Sequence, residues 1–353
     1  MIVTLTANPA IDRTVVIDEP LRRDAVHRAS RTSDQAGGKG VNVSRALVAS
    51  GAATVAVFPA ASDDPFTLAV REEGLPHVAV PIAGRVRTNI AITEPDGTTT
   101  KINEPGPELD VVARERLVEA IVEACRGARW LVLAGSLPPA APPLRYARIL
   151  ETVRARLGDG APRIAVDSSG PPLSDLVLGG LRVDLIKPNA HELAELLNRA
   201  DHLTSRSDWL EGDALEADLG TAVDAAGRAL DLGCGAVLLT LGGTGAVYVD
   251  RATALVASPP PIRVASTVGA GDASLAGFLL AHGEGASPAG ALAQAVAHGA
   301  AAASLPGSTL PSRAQTHPEA VRVEAWCSPV LPADDQAVGG SATPRSDASG
   351  VAQ

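Results

Sequence analysis

The segment Gly269-Ala270-Gly271-Asp272 has the residue types that phosphoryl transfer requires. A strand-like Ile262–Val264 precedes it, and an apolar run of helical length begins at about Ala270, so the glycines are expected in the turn that opens a helix. Backbone N–H groups and the positive helix end then point at one spot, which suits a phosphoryl group. Asp272 would accept a proton from an attacking hydroxyl. The structural alternative is that Asp272 caps the helix and the glycines turn the chain.

A second glycine loop, Gly37-Gly38-Lys39-Gly40, opens another predicted helix that ends at Gly51. It is not a Walker loop, because Gly40 stands where that motif requires Ser or Thr, and a P-loop NTPase is therefore excluded. The bare backbone allows a polar ligand to approach closely, and Lys39 and Asn42 could reach its anionic group and hydroxyls. The alternative is a tight loop-to-helix turn with an exposed lysine.

Other motifs give weaker signals. The glycines of Gly242–Gly245 lack the full GxGxxG pattern and are followed by a strand-like Ala246–Asp250, which argues against NAD binding. The 7 histidines form no HxxxH or HExxH pair, and the 3 cysteines have no CxxC spacing. Neither a zinc site nor a disulfide framework is predicted.

The order of elements predicts an α/β fold with a central, mostly parallel sheet flanked by helices on both faces. Short β-rich runs alternate with helix-like segments near 142–157, 190–197 and 221–232. The predicted strands are Trp130–Ala134, Arg163–Asp167, Leu185–Lys187 and Ala236–Thr240.

A small antiparallel flap, or lid, is predicted beside this sheet, from about 10–36 and 84–104. Its strands would be Arg13–Asp18, Thr88–Thr93 and Thr99–Ile102, the last two joined by a turn at 94–97. We expect one domain over 1–327. The acidic stretch Asn198–Gly220 is expected to be a solvated surface excursion, and 328–353 a disordered tail.

Charge and hydropathy limit the function classes. The chain has 353 residues with 46% hydrophobic, and 30 Lys plus Arg against 40 Asp plus Glu give a net charge of −10. This charge argues against binding to nucleic acid or to an anionic membrane surface. No apolar run approaches the roughly 20 residues of a membrane helix. With no export signal at the N-terminus and no disulfide pattern, a cytoplasmic location is expected.

Taken together, the motifs and their order resemble the PfkB family of carbohydrate kinases, in the ribokinase-like superfamily, over roughly residues 1–315. Each motif is modest alone, but their shared order is hard to obtain by accident. They are Asn8–Asp12, Gly37–Asn42, Gly84–Asn89, Gly135–Pro138, Asp167–Gly170, Lys187–Glu192, Thr240–Gly245 and Gly269–Asp272.

The resemblance is strongest to the branch that phosphorylates sugar phosphates, above all the 1-phosphofructokinases. It implies that MgATP phosphorylates fructose 1-phosphate, with Asp272 as base and the amides of Gly269, Ala270 and Gly271 as anion hole. The positions matching substrate contacts are Asp12, Gly38 and Asn42 for the hydroxyls and Lys39, Arg87 and Ser136 for the phosphate. Those matching ATP contacts are Lys187, Asn189, Thr240, Gly242 and Gly245, with Glu192 holding Mg²⁺ through water.

Three alternatives stay open. Lys39 and Arg87 indicate a bound phosphate without showing which carbon bears it, so a 6-phosphofructokinase or a tagatose 6-phosphate kinase is the nearest alternative. A non-catalytic sugar-phosphate sensor is the second, and a nicotinamide oxidoreductase is the third. The separated flap strands also predict a homodimer formed through the flap.

Overall fold

The computed structural model describes residues 1–140, 143–204 and 209–326, which form fourteen strands and ten α-helices. The strands are β1 (Ile2–Thr6), β2 (Ala10–Ile17), β3 (Ala29–Gly37), β4 (Thr54–Pro59), β5 (His77–Val80), β6 (Arg87–Thr93), β7 (Thr99–Asn103), β8 (Trp130–Ala134), β9 (Arg163–Asp167), β10 (Leu185–Ile186), β11 (Ala236–Thr240), β12 (Ala246–Asp250), β13 (Ala254–Ser258) and β14 (Arg322–Ala325). The helices are α1 (Lys39–Ala49), α2 (Pro65–Glu72), α3 (Val111–Ala124), α4 (Tyr146–Leu157), α5 (Gly170–Leu178), α6 (Ala190–Thr204), α7 (Gly212–Ala217), α8 (Leu219–Asp231), α9 (Ala270–Gly283) and α10 (Pro288–Ala303).

Ten strands form one large sheet in the order β14-β13-β12-β11-β10-β9-β8-β1-β4-β5. The strands from β11 to β5 are parallel to their neighbours, whereas β12, β13 and β14 add antiparallel strands at one edge. The predicted mostly parallel sheet is therefore confirmed. All carboxyl ends of the parallel strands meet at one edge, where ligands bind in open α/β sheets.

Helices cover both faces of this sheet. Leu131 and Leu133 of β8 pack into one apolar core with α3, α4, α5, α6 and α8, while Trp130 and Val132 pack into a second core with α1, α9 and α10. The split follows the period of two along a strand, since successive side chains point to opposite faces. A strand buried on both faces reads as a continuous apolar run, which is why β8 was predictable.

The four remaining strands form a separate small sheet in the order β3-β2-β6-β7, the flap. Its outer pairs, β2–β3 and β6–β7, are antiparallel as expected, but β2 and β6 run parallel. The parallel pair arises because the chain leaves the flap after β3 and returns to it only at β6, through the part of the large sheet that contains β4 and β5.

Two local predictions were wrong. Ile262–Val264 is not a strand: the chain leaves the sheet at the end of β13 and runs as a loop to α9. The run Pro259-Pro260-Pro261 explains this, because proline has no N–H to donate to a sheet. The stretch Asn198–Gly220 is also not a plain surface excursion, because α6 continues to Thr204 and α7 follows, with Leu215 fully buried.

The predicted tail at 328–353 lies outside the described residues. Within the part of the chain that the structure describes, no helix combines the length and apolar character needed to cross a bilayer.

Candidate active site

Most of the predicted site residues gather at the carboxyl edge of the large sheet. Asp167 ends β9, Lys187 follows β10, Ser136 follows β8 and Thr240 ends β11. Because the strands are parallel and adjacent, their ends bring together residues that are far apart in sequence. The edge faces the N-terminal ends of α1 and α9, which bring the two glycine motifs to the same place.

Asp272 lies in the first turn of α9, and only 7% of its surface is exposed. Its Oδ2 accepts a hydrogen bond of 2.8 Å from Nδ2 of Asn42, on α1. Burial and the nearby Asp167 carboxylate raise the pKa of Asp272 to about 7, although Asn42 and two lysines oppose the shift. A base with a pKa near the working pH takes up and releases a proton readily.

The turn before α9 has the predicted conformation. Gly269 is its N-cap with φ 78°, a left-handed value that glycine adopts without strain. The first N–H groups of α9 have no acceptor within the helix, although that of Ala270 makes a long bond of 3.4 Å to the Thr267 carbonyl. A Cβ built on Gly271 would lie 3.3 Å from Nζ of Lys187, so an ammonium group borders the amides. Amides, helix end and ammonium together form an anion site.

A buried charge cluster lies behind this turn, centred on the fully buried Asp167. The Lys39 ammonium donates to Asp167 Oδ1 at 2.7 Å and to Glu192 Oε1 at 3.2 Å, and Lys187 Nζ lies 3.1 Å from Asp167 Oδ2. Burial disfavours the charged Asp167, but the two lysines outweigh it and lower its pKa. The same carboxylates raise the pKa of Lys39 against its own desolvation. The cluster therefore keeps its charges.

Asp12 links the flap to the glycine loop. It lies on β2, and its Oδ1 accepts a hydrogen bond of 3.0 Å from Nδ2 of Asn89 on β6. A Cβ on Gly37 would overlap the Asp12 carboxylate, so the loop needs glycine there for space. Burial raises the pKa of Asp12, an effect that Asn89 and Arg87 partly offset. Gly38 follows Gly37 along the loop as the N-cap of α1, and it packs on Thr6.

Arg87 and Ser136 lie together at the flap end of the site. One guanidinium nitrogen of Arg87 donates to the Glu104 carbonyl at 2.9 Å, and the other lies 3.5 Å from Ser136 Oγ. Asn8 Nδ2 donates to the Pro105 carbonyl at 3.0 Å and to Ser136 Oγ at 3.4 Å. Among the described residues, three buried polar atoms here have no hydrogen-bond partner: Asn8 Oδ1, Arg87 Nε and Asn89 Oδ1. Buried polar groups without partners are costly, so the protein's own contacts leave this end of the site incompletely satisfied.

The predicted nucleotide contacts surround the start of α6 and the turn after β11. Thr240 pairs with Asn189 in a β-bridge, and its N–H donates to the Pro188 carbonyl at 3.1 Å. Gly242 lies in an exposed 3₁₀ turn, whereas a Cβ on the buried Gly245 would overlap the Ala257 carbonyl. Gly242 therefore faces outward. Position 245 requires glycine because a larger residue would overlap β13.

Glu192 forms a reciprocal cap at the start of α6. Its Oε2 accepts from the Asn189 N–H at 2.9 Å, while its own N–H donates to Asn189 Oδ1 at 2.8 Å. Both carboxylate oxygens are thus engaged, because Oε1 contacts Lys39. Within the described ranges no group of His, Cys, Asp and Glu could hold a metal ion by itself. Contact with Mg²⁺ through water fits this geometry, since Mg²⁺ keeps several waters and takes phosphate ligands.

The structure brings the residues predicted as base, anion site and nucleotide contacts together, but it separates one expected pair. Lys39 was predicted beside Arg87 as a phosphate ligand, and its ammonium instead contacts Asp167 and Glu192; its role toward substrate stays a prediction that this geometry does not favour. Sequence reasoning gave no role to Asp167, Asn8 or Asn89. For Asp167 a signal existed, because a carboxylate at the end of a buried parallel strand lies at the ligand edge.

Comparisons with known proteins agree with this geometry. A family model described as pfkB family carbohydrate kinase matches residues 5–315. A 1-phosphofructokinase of Rhodobacter capsulatus is 36% identical over 79% of this chain and 82% of its own length. An ATP-dependent 6-phosphofructokinase isozyme 2 of Escherichia coli is 30% identical over 93% of this chain and 99% of its own.

Among solved structures, phosphofructokinase-2 of Escherichia coli in complex with substrates and products superposes with a TM-score of 0.76. It is 29% identical, and the match covers 89% of this chain and 96% of that one. Fold, site and comparisons thus confirm the resemblance inferred from the motifs. The chain belongs to the pfkB family of carbohydrate kinases, enzymes that transfer a phosphoryl group to a sugar hydroxyl.

Proposed function

We propose that this kinase transfers the γ-phosphoryl group of ATP to the 6-hydroxyl of fructose 1-phosphate, giving fructose 1,6-bisphosphate and ADP. The observation that supports it best is the buried Asp272 carboxylate beside the amide turn of α9, held at 2.8 Å by Asn42. The similarity to the 1-phosphofructokinase from Rhodobacter capsulatus supports fructose 1-phosphate as the substrate. The similarity to the 6-phosphofructokinase from Escherichia coli makes fructose 6-phosphate the second candidate substrate.

In the proposed reaction, Asp272 takes the proton of the attacking hydroxyl. The hydroxyl oxygen forms a bond to the γ-phosphorus, the bond from that phosphorus to the bridging oxygen breaks, and the electron pair leaves with ADP. Asn42 fixes the carboxylate by bonding Oδ2. The raised pKa of about 7 makes Asp272 a much stronger proton acceptor than an ordinary aspartate.

Charge stabilisation comes from groups that are already in place. The amides of Gly269, Ala270 and Gly271 would contact the phosphoryl oxygens, and Lys187 lies next to them, tied to Asp167 at 3.1 Å. Fixed donors lower the barrier because they need no reorganisation as negative charge shifts toward the leaving oxygen. Bound Mg²⁺ would neutralise phosphate charge, with Glu192 holding it through water.

The acceptor sugar would lie between the flap and the start of α1. Asp12 would accept hydrogen bonds from hydroxyls, with Gly38 and Asn42 on the other side. Arg87 and Ser136, which lie 3.5 Å apart through the Arg87 guanidinium and Ser136 Oγ, would bind the phosphate already on the sugar. A planar guanidinium suits a dianion, and its presence favours a sugar phosphate over a neutral sugar.

The nucleotide would lie along Lys187, Asn189, Thr240, Gly242 and Gly245. An open groove of about 260 Å³ lies between the loop after β13 and α10, and its lining includes Ile262, Ala297, Ala300 and Ala301. Small apolar side chains of this kind suit the flat face of a base, so the groove is our proposed position for the adenine.

A test compares kcat/KM for fructose 1-phosphate, fructose 6-phosphate and tagatose 6-phosphate with MgATP. We expect fructose 1-phosphate to be preferred by at least about tenfold, the usual scale for a shifted anchoring group. Preference for a 6-phosphate would be consistent with the proposed base and anion site but would contradict fructose 1-phosphate as the substrate. Binding of a sugar phosphate with no turnover would support the sensor instead.

We also propose that two copies pair through the flap. The strand register places Val15, Ile90, Ile92 and Ile102 on one face, and Ile102 is 54% exposed. The edge strands β3 and β7 pair with β2 and β6 but have no described strand on their outer sides. Exposed apolar faces and open edges favour association. Light scattering should give a dimer mass, and replacing Ile90 and Ile102 by Ser should give a monomer; a wild-type monomer at all concentrations would contradict the pairing.

A further inference from the structure

The short helix α7 brings a carboxylate to the turn after β11. A Cβ built on Gly242 would lie 3.9 Å from Oε1 of Glu216, and no other atom outside the adjoining residues lies within 4 Å of it. The neighbouring Gly243 has nothing within that distance. A ligand that lies over Gly242 therefore has the Glu216 carboxylate beside it.

The helix is held firmly against the site. The Asn198 side-chain amide bonds both the N–H and the carbonyl of Leu210, at 2.8 and 2.7 Å. Gly212 packs on His191 so tightly that a Cβ there would overlap the imidazole. Leu215 is fully buried, and Asp218, which ends α7, also caps α8 through the Thr221 N–H at 2.6 Å. Glu216 lies between these anchors, so its position is set by the fold.

The Glu216 carboxylate is half-buried and has no hydrogen bond or ion pair with any residue in the described ranges. An ionised carboxylate accepts hydrogen bonds and repels phosphate, so the group that it meets must carry hydrogen-bond donors. It is not part of a potential metal site within those ranges. In a nucleotide whose phosphates lie on the amide turns, the nearest donors to such a carboxylate are the ribose hydroxyls.

We propose that Glu216 accepts hydrogen bonds from the ribose hydroxyls of the bound nucleotide and so selects ribonucleotides over deoxyribonucleotides. This inference rests on the proposed ATP site. Glu216 is then a specificity residue of the donor site, contributed by the stretch between α6 and α8 that the sequence alone marked as surface.

Calorimetric titration of the full chain with ADP and with 2′-deoxyADP, both with MgCl₂, tests the proposal without any sugar. We expect ADP to bind about tenfold more tightly to the wild type, the scale of one hydrogen bond to a charged acceptor. Glu216→Ala should bring the two affinities together by weakening ADP more than 2′-deoxyADP, which has only the 3′-hydroxyl to lose. Glu216→Gln, which keeps one acceptor oxygen, should lie between them.

Asp213→Asn is the matched control, because Asp213 is on the same helix with its side chain 87% exposed, and it should keep the wild-type ratio. An unchanged ADP to 2′-deoxyADP ratio in Glu216→Ala, with unaltered melting temperature, would overturn the inference while leaving the ATP site intact. No ADP binding by the wild type would overturn both the inference and the proposed function.

Discussion

The two ends of the acceptor site are built differently. At the catalytic end, Asp272, Asn42, Lys187 and Asp167 are all at most 7% exposed, and their charged groups are paired. At the flap end, Arg87 is half-buried and Ser136 is exposed. Of the four buried polar atoms without a hydrogen-bond partner among the described residues, three lie at this end; the fourth, Asp167 Oδ2, is ion-paired with Lys187.

This difference indicates a division of labour. Groups that are already paired and fixed by two packed helices need no ligand to reach their working geometry, so they suit the chemical step. Exposed or half-buried groups such as Ser136 and Arg87, beside a small separate sheet, are open to a ligand and suit substrate binding. Changes at the catalytic end should therefore lower kcat, and changes at the flap end should raise KM for the sugar.

The largest effect is expected from Asp272→Asn. This change keeps the shape and the contact with Asn42 but removes the proton acceptor, and general bases contribute about 10²- to 10⁴-fold. We expect kcat to fall about 10³-fold, with sugar-phosphate affinity in calorimetry nearly unchanged. Retained turnover would contradict the assignment of the base.

Arg87→Met should act at the other end. The change removes a charged hydrogen-bond donor to the phosphate. We therefore expect KM for the sugar phosphate to rise about 10- to 100-fold, with a smaller change in kcat. Arg85→Met is the matched control, because Arg85 is exposed and nearby but makes no contact in the site, and it should leave KM unchanged. A fall in kcat with no rise in KM would contradict the assignment of Arg87 to substrate binding.

The pH profile tests the environment of Asp272. Because only the ionised carboxylate accepts the proton, kcat should fall as the pH drops through about 7, the raised pKa. At one pH unit below that value the loss should be about tenfold. Lys39 lowers this pKa, so Lys39→Met should move the acidic limb to higher pH, while the exposed Lys101→Met should not. A flat profile between pH 6 and 8 would contradict the assigned base.

The smallest effect is expected from Asn8→Ala. Asn8 bonds the Pro105 carbonyl and Ser136 Oγ, so its loss should loosen Ser136 and raise KM by about fivefold, the value of one neutral hydrogen bond. Asn103→Ala, at an exposed position on β7, is the control. If kcat fell instead, with KM unchanged, Asn8 would belong with the catalytic groups.

Much of this arrangement could be predicted from the sequence. The strands β8, β9 and β11 are continuous apolar runs, and both glycine motifs open helices as their patterns indicate. These features are local, so a short window of residues contains all the information needed. The contact between Asn42 and Asp272 could not be predicted in this way, because 230 positions separate them and only the packing of α1 on α9 joins them.

Two other features of the structure could not be predicted from the sequence for the same reason. Whether Lys39 faces a sugar phosphate or the Asp167 carboxylate depends on the distant end of β9, which no spacing near Lys39 encodes. The polar stretch before α8 gave no periodic signal because α7 is only six residues long. Its buried Leu215 is one apolar residue among acidic ones, and only the tertiary structure shows that it anchors Glu216 beside the turn after β11.

The central claim is that this enzyme phosphorylates a sugar which already bears a phosphate, held at the flap end. The most direct measurement compares wild-type kcat/KM for fructose 1-phosphate with that for fructose, at saturating MgATP. We predict a preference for fructose 1-phosphate of at least about 10³-fold, the scale of several charged hydrogen bonds. Equal efficiency with unphosphorylated fructose would contradict the claim, because Arg87 and Ser136 would then have no phosphate to bind.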